Sequence, residues 1–206
     1  MTKHCRSVLL AVAFFLISTT TLGAQSLPSE LSDKEFWKIV TDFSEPNGYY
    51  RYENFVSNED DYQGLLPELT RIFNPGSIYV GVGPEQNFTY ISALKPKLAF
   101  VVDIRRQNML ELLLYKALFE LSADRADFAS RLFSRKATKN VSATAGPSEL
   151  LEAFENIPGD KQLFDANLAA AWDLLTQKHG FDLSPDDDKE AVTKVFKKRF
   201  SIAARR

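Results

Sequence analysis

The stretch Ser77–Asn108, SIYVGVGPEQNFTYISALKPKLAFVVDIRRQN, limits the fold more than any other part of the chain. Two short runs rich in β-branched and aromatic residues, about Ile78–Val82 and Leu98–Ile104, flank a helical stretch, and a glycine turn closes the first run. That order predicts a βαβ unit, the front half of a nucleotide-type α/β site. In SIYVGVG the backbone must turn sharply as a buried strand ends, and glycine permits both positive φ and close approach of a ligand to the main chain. Pro84 suits the first turn of the helix that follows, and Glu85, Gln86 and Asn87 complete it. Asp103 ends the second strand, close to the roughly 20-residue offset at which an acidic side chain meets ribose hydroxyls in Rossmann-like folds.

The turn departs from the dinucleotide fingerprint in two ways. It lacks the third glycine, and it places Glu85 at the helix N-terminus, where a pyrophosphate would otherwise sit. A carboxylate there repels phosphate, which argues against a dinucleotide dehydrogenase. It favours a ligand with ribose, adenine and a cationic amino-acid end, for which S-adenosylmethionine is the candidate. A lone GxG is a weak signal, and the same strand, turn and helix also occur in α/β proteins that bind nothing there. Arg105 and Arg106 are expected to pair with Asp103 or with neighbouring acids, and exposed pairs of that kind contribute little.

The N-terminus adds a second constraint. Lys3, His4 and Arg6 precede the apolar run Val8–Ile17, and STTTLGA then leads to a cut expected after Ala24. The run is shorter than the roughly 20 residues of a bilayer span and fits a secretory signal over residues 1–24. Cys5 lies inside it and is the one cysteine of the chain, so the exported part can form no disulfide. Residues 25–206 suit a single domain, and sixteen Phe supply a core. The formal net charge of −2 points away from nucleic acid, and the basic residues of 194–206 read as a solvated helix face and tail.

Around the βαβ unit (76–121) the chain reads as helical, with a lead-in over 32–73 and a helix-rich region over 122–206. Ser32 and Glu35 form a capping box for a helix with Phe36, Trp37, Ile39, Val40 and Phe43 inward. A short helix covers Leu65–Phe73. The long helix Arg106–Leu121 is apolar around most of its circumference, which predicts burial on more than one side. Ser122 or Asp124 caps the next helix, Ser148 another, and Asp160 opens one that Gly180 closes. Ser184-Pro185 opens the last, with Asp186, Asp187 and Asp188 complementing its dipole rather than holding a metal. His179 fits a helix C-terminus better than a catalytic base. The Asn-x-Thr/Ser matches at Asn87 and Asn140 are expected to be chance.

The phrases SEPNGYY, ENFVSNE, YVGVGPEQNFTYI, VVDIRRQN and YKALFELSADRADFASRLFSR resemble a bacterial family of uncharacterised proteins with a class I methyltransferase-like fold. The resemblance runs from about Phe43 to Phe200. It implies a Rossmann-like α/β core with S-adenosylmethionine as cofactor. Gly81, Gly83 and Glu85 would line the cofactor turn, Asp103 would face the ribose, and Asn58 and Glu59 would close the site. No catalytic residue and no settled activity carry over. A methyltransferase-like sheet has about seven strands, whereas two are legible here. The expectation is a C-terminally truncated member with an incomplete sheet, an exposed edge and poor solubility. S-adenosylmethionine is made in the cytoplasm, whereas the signal directs the chain out, to the periplasm or beyond. The functional expectation is therefore an exported protein of unassigned activity with a methyltransferase-like cofactor core. The alternative is a non-catalytic envelope or interaction protein with a vestigial site.

Overall fold

A computed structural model describes residues 28–45, 61–83, 85–136, 141–155 and 157–202. The elements below all belong to one compact unit, Leu31–Arg206. Helix α1 is Asp33–Asp42, and a 3₁₀ turn, Tyr62–Leu65, runs into α2, Leu66–Ile72. Strand β1 (Ile78–Val82), helix α3 (Gln86–Leu94) and strand β2 (Leu98–Val102) form the βαβ unit. Helices α4 (Arg106–Leu121), α5 (Arg125–Phe133), α6 (Pro147–Phe154), α7 (Lys161–Asp173) and α8 (Asp187–Ile202) follow, with a π turn at Leu174–Lys178 after α7.

The capping box of α1 is formed on both sides, Ser32 Oγ accepting from the Glu35 N–H and the Glu35 carboxylate accepting from the Ser32 N–H at 2.9 Å. Asp124, not Ser122, caps α5, accepting from the N–H groups of Ala126 and Asp127. Ser148 does not cap α6: that helix begins one residue earlier, with Pro147 at its start and Gly146 at the cap. Gly180 ends the π turn at φ +66°. Strand β2 stops at Val102, short of the expected Ile104, because Asp103 turns its carboxylate back to the Arg105 N–H at 2.9 Å.

The core forms around α4. Leu110, Leu113, Leu114, Ala117 and Leu118 are buried against Phe164, Ala171 and Trp172 of α7, Leu175 of the π turn and Val192, Val195 and Phe196 of α8. Each such Leu contributes roughly 2 kcal/mol on removal from water. This is the burial on more than one side that the residue pattern of α4 predicts, although Phe119 near its end is 51% exposed. Phe164 and Phe196 stack at 4.6 Å, joining α7 to α8 beneath it. Phe36 and Trp37 hold α1 on Phe181, the Trp37 ring stacked at 4.9 Å. Phe43, expected inward, is 77% exposed: it lies at the C-cap of α1, past the residues that pack on Phe181, and its ring meets Phe100 of β2 at 6.4 Å between centroids.

The strands pair in parallel and in register, Ile78 with Leu98 through Val82 with Val102, and make up the sheet found among the described residues. Tyr79 and Gly81 face α3, whereas Ile78, Val80 and Val82 of β1 and Val102 of β2 are exposed on the opposite face. No helix among the described residues is long and apolar enough to cross a membrane.

The packing sets a contrast that a urea titration can read. Phe196 is fully buried, so Phe196→Ala is expected to cost about 3–5 kcal/mol of unfolding free energy. Phe43→Ala is expected to stay within about 0.5 kcal/mol of the unaltered protein. Equal losses at both positions would contradict this core.

Candidate functional site

The two glycines of the turn are required for different reasons. Gly83 has φ +88°, in the left-handed region, and its N–H donates to the Val102 carbonyl at 3.0 Å, extending the strand pairing by one bond. Gly83 is buried, and a Cβ on it would meet Gln86 Nε2 at 3.4 Å, a contact that a small shift of that side chain would relieve. Gly81 is different. A Cβ there would lie 1.9 Å from Asn87 Oδ1 and 2.5 Å from the Tyr79 hydroxyl. The room that Gly81 creates is filled by the protein's own side chains, since the Tyr79 hydroxyl donates to Asn87 Oδ1 at 2.7 Å.

Asn87, buried in the first turn of α3, ties the loop down. Its Nδ2 donates to the carbonyls of Val82 at 3.2 Å and Gly83 at 3.1 Å. From the other side Asn108 Nδ2 donates to the same Gly83 carbonyl at 3.2 Å. Two buried acceptor oxygens, Asn108 Oδ1 and Gln86 Oε1, are left without a donor among the described residues. The Asn108 amide orientation follows from its bond, because flipping Asn108 would put its oxygen against the Gly83 carbonyl. Unsatisfied buried acceptors are uncommon and suit a ligand that brings hydroxyl or ammonium donors. Glu85 forms the N-cap of α3, half-buried, without bonding the helix N–H groups through its side chain.

Asp103 sits at the same end of the sheet, but its carboxylate is taken by Arg105. Nε reaches Oδ1 at 2.9 Å and Nη2 reaches Oδ2 at 2.8 Å, with the two side chains 7% and 10% exposed. Burial alone would push the Asp103 carboxyl up, but the Arg105 side chain, the Arg105 N–H and the guanidinium charge together hold it below the usual range. Arg106 makes a second fork across the fold, 2.7 Å to each oxygen of Asp188 in α8. The Asp188 carboxyl also accepts from the Ser184 N–H at 2.9 Å. Burial raises it, and the bonds from Arg106 and Ser184 with the Arg106 charge outweigh that and lower it. These pairs are not the exposed ones expected from the sequence. Two cations at the positive end of α4 oppose its dipole, and each is tolerated because a buried carboxylate faces it.

Gly81, Gly83, Glu85 and Asp103 therefore converge on the carboxyl end of the strand pair. Asn58, Glu59 and Pro84 lie outside the described residues. Asn87, Asn108 and Arg105 were not among the site candidates, although DIRRQN carried a signal in two arginines at a helix start. Asn87 is buried, so it is no glycosylation acceptor in this fold. His179 serves packing: Nδ1 lies 2.8 Å from Asp33 of α1, Nε2 lies 2.8 Å from Glu120 of α4, and the ring stacks on Phe181. Among the described residues no group of three His, Cys, Asp or Glu is placed to hold a metal ion.

Residues 54–176, which include the βαβ unit and α4 through α7, match a domain of unknown function (DUF7790), and the chain belongs to that family. None of the curated proteins matches it.

The Arg106–Asp188 fork links the matched region to α8 beyond it. Asp188→Asn is expected to cost on the order of 2–3 kcal/mol, below the value for a fully buried pair because Arg106 keeps some solvent access. The Asp188 carboxyl is lower in the folded than in the unfolded chain. Its contribution is thus full at neutral pH and is lost as pH falls below about 4. Denaturation curves across that range should show a shallower acid loss in Asp188→Asn, and an unchanged slope would remove Asp188 from the account.

Proposed function

For this member of the DUF7790 family we propose that β1–α3–β2 is a methyltransferase-like core in an exported protein whose reaction is unassigned. Its carboxyl end would take S-adenosylmethionine or a close relative. The observation that carries this reading is the pair of buried oxygens, Asn108 Oδ1 and Gln86 Oε1, that have no donor among the described residues and lie beside the left-handed turn at Gly83. Together with Glu85 they form an acceptor-rich, anionic turn that suits hydroxyls and a cationic amino-acid end and disfavours phosphate. When bound, the ligand would supply a transferable methyl group. The chain's own part would be to hold it: Gly83 allows close approach, Asn108 and Gln86 accept from it, and Asp103 exchanges Arg105 for ribose hydroxyls.

A second reading, a non-catalytic interaction protein that keeps the fold, is favoured by two other observations. Asn87 and Tyr79 fill the space at Gly81, and Arg105 already satisfies Asp103.

Calorimetry with S-adenosylhomocysteine separates the two. Saturable heat at millimolar ligand or below is expected for the first reading, and a folded sample giving none leaves the second. Where binding is seen, Asp103→Ala should weaken it by about 1–3 kcal/mol, the scale of one unsatisfied polar contact. Unchanged affinity would take Asp103 out of the site, and tight NADH binding would restore the dinucleotide alternative.

A further inference from the structure

Away from the strand ends, at the C-terminus of α5, Arg135 is 2% exposed, yet no ion pair holds it among the described residues. Its Nη1 donates to the Phe154 carbonyl of α6 at 3.1 Å. Its Nε and Nη2 are buried and have no hydrogen-bond partner among the described residues. Asp160, whose N–H bonds the neighbouring Ser134 carbonyl, is engaged elsewhere: its side chain caps α7 and lies 3.8 Å from Lys136. Burial, with nothing to oppose it, pushes the guanidinium down. A guanidinium nevertheless stays charged in proteins, and an uncompensated buried charge is among the costliest features a fold can carry.

The vacant edge has a defined chemistry. Nε and Nη2 project side by side, and three other arginines of this chain use that same edge to hold a carboxylate: Arg105 on Asp103, Arg106 on Asp188 and Arg71 on Glu68. The backbone that presents Arg135 is itself held in an unusual conformation. Ser134, fully buried, has φ +47° and closes α5 in the left-handed region, which costs a non-glycine residue energy. The Ser130 hydroxyl then fixes the Arg135 carbonyl at 2.6 Å, and the Asp160 N–H fixes that of Ser134 at 2.9 Å.

We propose that Arg135 is an anion-binding site, its Nε/Nη2 edge taking two oxygens of a small oxyanion, either a carboxylate or a tetrahedral ion such as phosphate. Entry is by local opening of α6. That helix is held by a small cluster of Ala129, Ala153 and Phe154, separate from the core around α4, and such satellite elements open at less cost than the whole fold. Lifting α6 removes the Phe154 carbonyl from Nη1 and uncovers the fork.

Thermal melting of the full chain tests this, with inorganic phosphate in one arm and acetate in the other, at ionic strength held constant with chloride. A saturable rise in Tm with either anion is expected, and the arm that responds names the source. Arg135→Met should lose the response and be no less stable than the parent without anion, since the unpaired charge is gone. Arg135→Lys keeps the charge without the fork and should bind about tenfold more weakly or worse. No saturable rise with either anion, or an equal rise in Arg135→Met, overturns the proposal. Should Arg135→Met fail to fold, crystals of the parent soaked in selenate or bromoacetate decide the matter. Anomalous density at Nε and Nη2 supports the site, and a bare fork overturns it.

Discussion

Three residues at the start of α4, Arg105, Arg106 and Asn108, tie the strand pair to the last helix. Arg105 clasps Asp103 at the end of β2, Arg106 clasps Asp188 in α8, and Asn108 donates to the Gly83 carbonyl at the end of β1. One helical turn thus joins both strand ends to the last helix. The rest of α4 makes the arrangement worth having, because its apolar residues are buried by α7, the π turn and α8. The hydrophobic effect chooses α4 as the centre, without direction. The forks at its N-terminus supply direction, since a bidentate guanidinium–carboxylate pair fixes both distance and plane.

Much of this was legible in the residues. The βαβ unit followed from two β-branched runs around a glycine turn, and the burial of α4 followed from leucines at nearly every helical face. The caps at Ser32 and Asp160 could be read because a side-chain oxygen three residues before an N–H is a local arrangement. Partners far apart in sequence could not be read this way. Nothing near Arg106 names Asp188, and nothing in GVG says that Asn87 and Tyr79 fill the space at Gly81. Phe43 was misplaced because a hydrophobic residue at a helix end carries no record of whether anything lies beyond it. The α6 start was misjudged because Pro147 needs no N–H partner and so can begin a helix after a bare glycine.

These long-range contacts bear directly on function. A GxG turn followed by an acid suggests ligand chemistry when read alone. In the folded chain the two glycines part company: Gly81 makes room for the protein itself, while Gly83 supplies the left-handed turn and has buried acceptors beside it. Asp103 is likewise both a candidate ligand residue and one half of a nearly buried ion pair. A ligand at this end must therefore outcompete Arg105, whereas a protein that only keeps the fold would leave the pair intact.

The state of Asp103 is accordingly the most direct point of attack. A pH titration of its side-chain carbonyl by carbon-13 NMR, in the parent and in Arg105→Ala, measures how firmly the carboxylate is held. The account predicts a midpoint below the ordinary aspartate range in the parent that rises when Arg105 is removed, where burial is left unopposed. A midpoint in the ordinary range that ignores the substitution would contradict it.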